Sequence, residues 1–299
     1  MLVKLYVQPN ILCQASIILG QLLEQRKFTL FLYFRFQVLF FPSVQARAYC
    51  GWNGITVGAY GQPTKDSDNY FTNNEIHHCG DVGTSTYALR CSIENNYVYD
   101  IDGSLGYDNA NGGIQVEGGN SNIIKGNTIE RMRVGIQTNE PPLDPNTITL
   151  NTVNHCIDGI ALRSSHNTVT QNNIADYNYL NGYGKAISLL NANNNNVNDN
   201  KISSTLAGAN ANYLGTCNDN QILRNTIVGS AQPNFWSIEL YSSLRTDIEQ
   251  YIISGFNGIG IADAASTDSI IKNNDLTICT GVRIRDLGIG TIKEGNLPP

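Results

Sequence analysis

The stretch NTITLNTVNHCIDGIALRSSHNTVTQNNIADY, from Asn146 to Tyr177, states one phrase twice. An apolar residue is followed three places later by Asn, and that Asn two places later by another apolar residue. The copies are Ile148, Asn151, Val153 and Val169, Asn172, Ile174. Between them lies a short alternating run, Gly159-Ile160-Ala161-Leu162. A phrase that returns every 20 to 50 residues decides the architecture before any local propensity does.

The Asn-x-apolar triplet recurs at Asn74, Asn96, Asn127, Asn151, Asn172, Asn200, Asn225 and Asn274, with a variant at Gln250, in steps of 21 to 31 residues. Alternating runs accompany it at Ile114/Val116, Ile136/Thr138, Ile160/Leu162, Ile187/Leu189, Ile238/Leu240, Ile259/Ile261 and Val282/Ile284. Period-two segments separated by Gly, Asn, Asp and Ser are short strands joined by turns. No intervening segment is long and apolar enough for a crossover helix. The Leu-rich signature of leucine-rich repeats is missing, and propeller blades need a longer period. The spacing therefore predicts an all-β parallel β-helix, a solenoid of about nine coils with three short strands per coil, whose Ile and Val stack inward. The motif Asn suits a left-handed turn residue and a stacked amide ladder. Thr205–Thr216 reads as an enlarged turn, and the coil around Tyr87–Cys91 as irregular.

Composition narrows the function classes. The formal charge is −6 and only 15% of residues are charged. No basic stripe interleaves with aromatics, which excludes nucleic acid as the expected partner. Of seven cysteines, Cys79, Cys156 and Cys279 share one repeat position, five residues after the motif Asn. They are expected as interior fillers, on coils too far apart to bridge. No CxxC pair points to zinc.

Two segments follow from the pattern. Residues 1–48 lack the repeat. Arg26-Lys27, the apolar run Phe28–Phe41 and Ala46-Arg47-Ala48 have the order of a secretory signal or anchor. The other reading is a cap, with Ile11–Leu23 as an amphipathic helix over the first coil. Residues 49–299 form the β-helix domain. Its end, Gly295-Asn-Leu-Pro-Pro299, begins another marker without a closing cap, so either the C-terminus is truncated or the coils associate end-on.

From about Gly54 to Asn296 the chain resembles the right-handed parallel β-helix proteins of the pectin-lyase-like superfamily. The resemblance rests on Gly113-Ile-Gln-Val116, Gly135-Ile-Gln-Thr138, Gly159-Ile-Ala-Leu162 and the Asn triplets. It implies a right-handed coil and a secreted or cell-surface protein that acts on acidic polysaccharide; some relatives are enzymatically silent. Ile157-Asp-Gly-Ile160 resembles part of the Asn-Thr-Asp-Gly-Ile motif of polygalacturonases, and Gly281-Val-Arg-Ile284-Arg285 is similar to their Arg-Ile-Lys element. The departures weigh against hydrolysis. The following coil reads Gly184-Lys-Ala-Ile187 without an Asp-Asp pair, and Gly-His-Gly is absent. The Asp-Pro-His signature of mannuronan epimerases is missing as well; Asp144-Pro-Asn146 only echoes it.

Residues between inward positions face out. Stacking then makes Glu117, Asn139 and Arg163 consecutive in one column, with Glu117 and Arg163 about 10 Å apart, and Glu239 and Tyr241 two coils further on. Lyase chemistry needs a base at the sugar C5 and a cation on the uronate carboxylate. Candidate catalytic residues are Arg163, Glu117, Lys185, Asp158 and Glu239, with Arg163 or Lys185 as base. Candidate substrate-binding residues are Gln115, Gln137, Asn139, Tyr107, Tyr241, Arg283 and Arg285. Asp100, Asp102 and Asp108, in the longest insertion, are candidate Ca2+ ligands, and Tyr97, Tyr99 and Tyr107 are candidates for stacking on sugars. Adjacent His77 and His78 should face opposite ways, which argues against a shared metal. The expectation is a lyase acting by β-elimination on uronate-rich polysaccharide; the alternative is a non-catalytic polysaccharide-binding or cell-surface solenoid.

Overall fold

The computed structural model describes residues 54–57, 68–79, 81–100, 112–139, 145–177, 184–205 and 210–298, with the backbone alone at 230–234. The expectations placed on residues 1–48, Asp102, Tyr107 and Asp108 lie outside the described residues.

Every strand pairing is parallel, and each links a strand to its counterpart one coil away. The coil has three faces. The front face carries Val82–Thr86, Gly112–Glu117, Val134–Asn139, Asp158–Leu162, Lys185–Leu190 and Asn210–Gly215. A second face is a ten-stranded sheet of three-residue strands, from Tyr70–Thr72 to Ile292–Glu294. The third face carries Glu75–His77, Tyr97–Tyr99, Thr128–Glu130, Thr152–Asn154 and Asn173–Ala175. Two long strands, Thr226–Tyr241 and Ile252–Ile261, run through the corner between the third and front faces and join them into one 17-stranded sheet.

Ile114, Ile136, Ile160 and Ile187 occupy adjoining rungs in register. All four are fully buried, and burying one such side chain contributes about 1.5–3 kcal/mol. The residue before each also faces inward, so the run is not a plain alternation. Gly113, Gly135 and Gly159 sit at a corner where there is no room for a side chain. A Cβ on Gly135 would lie 2.4 Å from Val153 Cγ1 and 2.6 Å from the Gly159 carbonyl oxygen.

The motif Asn builds a ladder. Asn74, Asn96, Asn127, Asn151, Asn172, Asn200 and Asn225 stack so that each backbone N–H and side-chain amide donates to the Oδ1 of the next coil. The left-handed conformation expected of these residues belongs instead to the residue before each, such as Asn95, Leu150, Gln171 and Asp199. That shift frees the motif amide to point inward. A second ladder, Asn122, Asn146, Asn167, Asn195 and Asn220, runs along the next corner. Tyr251, not Gln250, takes the motif place in its coil, because Ile227 pairs with Ile253. Its hydroxyl accepts from Asn225 Nδ2 at 2.7 Å and from Asn212 Nδ2 at 3.0 Å.

Left-handed corner residues also pair across coils. Asp68–Arg90, Asp100–Arg131, Asp199–Arg224 and Asp219–Arg245 are two-pronged ion pairs, and all eight residues have positive φ. They are solvent-exposed, so each adds little and weakens with salt. Cys79, Cys91, Cys156 and Cys217 are buried free thiols, and Cys279 is free and half-buried.

Two stretches depart from expectation. Thr205–Thr216 is not merely a turn: it contains the strand Asn210–Gly215, a full front-face rung with Asn212 in the inward isoleucine column. Glu239 and Tyr241 therefore stand three coils beyond Arg163, not two. In the last coil Ile259 pairs with Ile284, not with Val282. Arg285 then faces out beside Gly260, while Arg283 sits at the corner, its carbonyl accepting the Ile259 N–H.

Candidate functional site

The outward positions of the front face form three columns. One runs Ser85, Gln115, Gln137, Ala161, Ser188, Tyr213, Glu239, Gly260, Arg285. A second places Glu117 beside Asn139, with Arg163 on the next rung, its N–H bonded to the Thr138 carbonyl at 2.9 Å. The third places Val134, Asp158, Lys185 and Asn210 at the leading edge of the strands.

Glu117 is held by amides. Asn139 Nδ2 donates to Glu117 Oε1 at 2.9 Å, Gln115 Nε2 donates to the same oxygen, and Gln137 Nε2 donates to Asn139 Oδ1 at 2.6 Å. The four heads form one hydrogen-bonded row. Gln115 and Gln137 are buried within it, while Glu117 and Asn139 are half-exposed.

Asp158 is different. Burial pushes its carboxyl above the usual carboxylate range, while the Lys185 backbone N–H and the charges of Lys185, Arg133 and Arg163 pull the other way. That N–H donates to Asp158 Oδ1 at 2.8 Å. Lys185 Nζ lies 5.2 Å over the Tyr213 ring, a cation–π contact. Arg163 is exposed and enters no ion pair among the described residues. A carboxyl whose proton affinity is raised by burial, within the field of three cations, suits an anionic ligand and proton transfer.

Glu239 is half-buried and accepts from Asn210 Nδ2; Tyr241 is exposed. Three contributors escaped the motif search. Arg133 lies outside the alternating run, and Asn210 and Tyr213 lie in the rung read as a turn.

The remaining candidates fall elsewhere. Both carboxylate oxygens of Asp100 accept from Arg131, at 2.5 and 3.0 Å. No group of three or more His, Cys, Asp or Glu among the described residues is placed to hold a metal. His77 and His78 do not diverge as expected: the left-handed turn at His78 brings their Nδ1 atoms to 2.6 Å. Next to them His77, Tyr99 and Tyr97 stack at 5.0 and 4.4 Å, and Glu75 and Glu130 accept from the two phenol hydroxyls. This cluster is on the third face, away from Asp158.

Residues 49–194 match the family described as right handed beta helix region. A DFA-IIIase variant from Arthrobacter chlorophenolicus, solved in complex with DFA-III, superposes with a TM-score of 0.50 at 14% identity, over 77% of this chain and 59% of that one. A periplasmic alginate epimerase gives 0.49 at 14%, over 76% and 62%. The A-module of a mannuronan C-5 epimerase from Azotobacter vinelandii gives 0.46 at 15%, over 83% and 69%. The chain thus spans about three fifths of the length of the first two. No curated protein sequence matches it. At these identities the likeness is one of fold. Parallel register, three-faced winding and family match agree that the chain folds as a right-handed parallel β-helix.

Proposed function

We propose that this protein binds uronate-rich polysaccharide across its front face and cleaves it by β-elimination. The observation that carries the reading is Asp158, its carboxyl raised by burial, bonded to the Lys185 backbone N–H and acted on by the charges of Lys185, Arg133 and Arg163. In this scheme Arg163 and Lys185 hold the uronate carboxylate and stabilise the enolate that develops on it. Asp158 takes the proton from C5. The C5–H electron pair becomes the C4=C5 double bond, the C4–O bond breaks, and the leaving oxygen takes a proton from water. A carboxylate with raised proton affinity is a better base than an ordinary one. The Lys185 ammonium, seated over Tyr213, serves better as a cation than as the base. A polymeric substrate of this kind lies outside cells, and a secreted or surface location goes with this reading.

A second reading, a glycan-binding solenoid without turnover, is favoured by the row Gln115–Glu117–Asn139–Gln137, whose groups are bonded to one another. Absorbance of unsaturated uronate on pectate and alginate, with and without calcium, separates the two. Product supports elimination. Retention on immobilised polyuronate without product leaves the binding reading alone. Neither product nor retention refutes both.

A further inference from the structure

We infer that the indole of Trp236 is an aromatic subsite that takes the apolar face of a pyranose ring several sugars away from Asp158, so that the substrate is a long chain lying along the solenoid axis. The inference rests on the front-face reading above. Gly260 lies in an outward column of the front face, between Glu239 and Arg285. The indole covers it: a Cβ on Gly260 would lie 2.6 Å from Trp236 Cδ2 and 2.8 Å from Cε2. One ring face is therefore laid against the sheet, and the residue stays half-exposed. Gly is needed here because any side chain would occupy the space of the ring.

The support is rigid. The Trp236 N–H donates to Asn210 Oδ1 at 2.9 Å, and Asn210 Nδ2 donates to Glu239. The strand is bulged on both sides of Gln232, and beyond the bulges Trp236 pairs with Asn257 in the same register as Ile238 with Ile259, which sets it next to Asn210 in the leading-edge column. A flat apolar ring flanked by Glu239, Arg285 and exposed Tyr241 is a surface for C–H stacking with polar groups at its rim for hydroxyls. Gly260 is three rungs beyond Lys185 and four beyond Asp158, about 14 and 19 Å at the usual strand spacing. One short oligosaccharide cannot reach both places.

The test is titration calorimetry with a uronate disaccharide and an octasaccharide, alongside emission from Trp236 in a Trp52→Phe background, since the sequence has two tryptophans. The octasaccharide should bind more tightly and shift the emission. Trp236→Ala should weaken it roughly fivefold to tenfold and leave the disaccharide unchanged. Gly260→Val, which displaces the ring without removing it, should reproduce that loss, and Arg163→Ala should weaken both lengths. If Trp236→Ala binds the octasaccharide like the parent, or the emission stays unmoved at saturation, the subsite is wrong while the Asp158 site stands. A neutral octasaccharide separates the two ideas when uronates fail to bind. An emission shift with the neutral chain keeps the subsite and removes the uronate reading; silence with both chains overturns the subsite.

Discussion

Replacing Asn151 by Ala tests whether the amide ladder holds the coils together. Asn151 is fully buried. Its Oδ1 accepts the Asn127 N–H at 3.0 Å and Asn127 Nδ2 at 2.9 Å, and its Nδ2 donates to the Ile124 carbonyl at 2.9 Å and to Asn172 Oδ1 at 3.0 Å. Truncation removes four bonds, but the penalties are unequal. Asn127 Nδ2 keeps the Ile93 carbonyl, and Asn172 Oδ1 keeps the backbone N–H of residue 151. The groups stranded are the Asn127 N–H and one lone pair of the Ile124 carbonyl. At about 1–3 kcal/mol for each buried unsatisfied group, the loss is about 2–6 kcal/mol. At roughly 2 °C per kcal/mol for a chain of this size, Tm should fall by about 4–12 °C. Urea unfolding should be followed by far-ultraviolet dichroism and tryptophan emission together, because a repeat array yields a free energy only where the two transitions coincide. The control is Asn154→Ala, an outward neighbour, expected within about 0.5 kcal/mol of the parent. Asn151→Asp adds a sign. Its carboxylate still accepts from Asn127 but faces two acceptors, so its folded pKa rises above the ordinary value near 4 and its penalty shrinks as pH falls. If Asn151→Ala costs no more than Asn154→Ala, the ladder is decoration.

Three further outcomes follow from the same geometry. Gly135→Ala pushes a methyl into Val153 and the Gly159 carbonyl and should cost about 3 kcal/mol; an unchanged urea midpoint would refute the corner assignment. Asp158→Asn should abolish unsaturated product in the absorbance assay while polyuronate binding holds or tightens, because a negative charge leaves the field of the three cations; retained turnover would remove Asp158 as base. Arg245 holds the Asp219 carboxyl below the usual range, so the pair stabilises above the unfolded value near 4 and that share is lost as pH falls through the lower folded value. Arg245→Met should therefore flatten the acid limb of a Tm-against-pH curve slightly, by about 1 °C, and leave neutral-pH activity unchanged.

The fold was legible because Ile and Val at fixed offsets from Asn can be buried in only one way once coils stack. What escaped detection was polar. Asn212 fills an isoleucine place because Tyr251 supplies its partner from the next coil, 39 residues on in sequence, and no local pattern announces that. Val82–Thr86 buries Thr84 and Thr86 where other rungs bury Ile and Val. Val282-Arg283-Ile284-Arg285 alternates equally well in two registers, and only pairing with Ile259 chooses. The second amide row carries the same Asn-x-apolar triplet, as in Asn146-Thr-Ile148 and Asn167-Thr-Val169, five residues before each marker, so the two rows read as one until the coils are stacked. At the candidate site the columns of Glu117, Asn139 and Arg163 were readable from strand period. Arg133, which follows a corner outside the alternating run, was not.

Each partner in both amide rows is one turn away, so the heritable unit of this architecture is a whole turn. Excising residues 152–172 would set Asn151 against Asn200 and Asn146 against Asn195, closing both rows without a gap. Unequal recombination can therefore lengthen or shorten the rod, and with it the reach of its front face, while the side chains at any one rung are inherited intact.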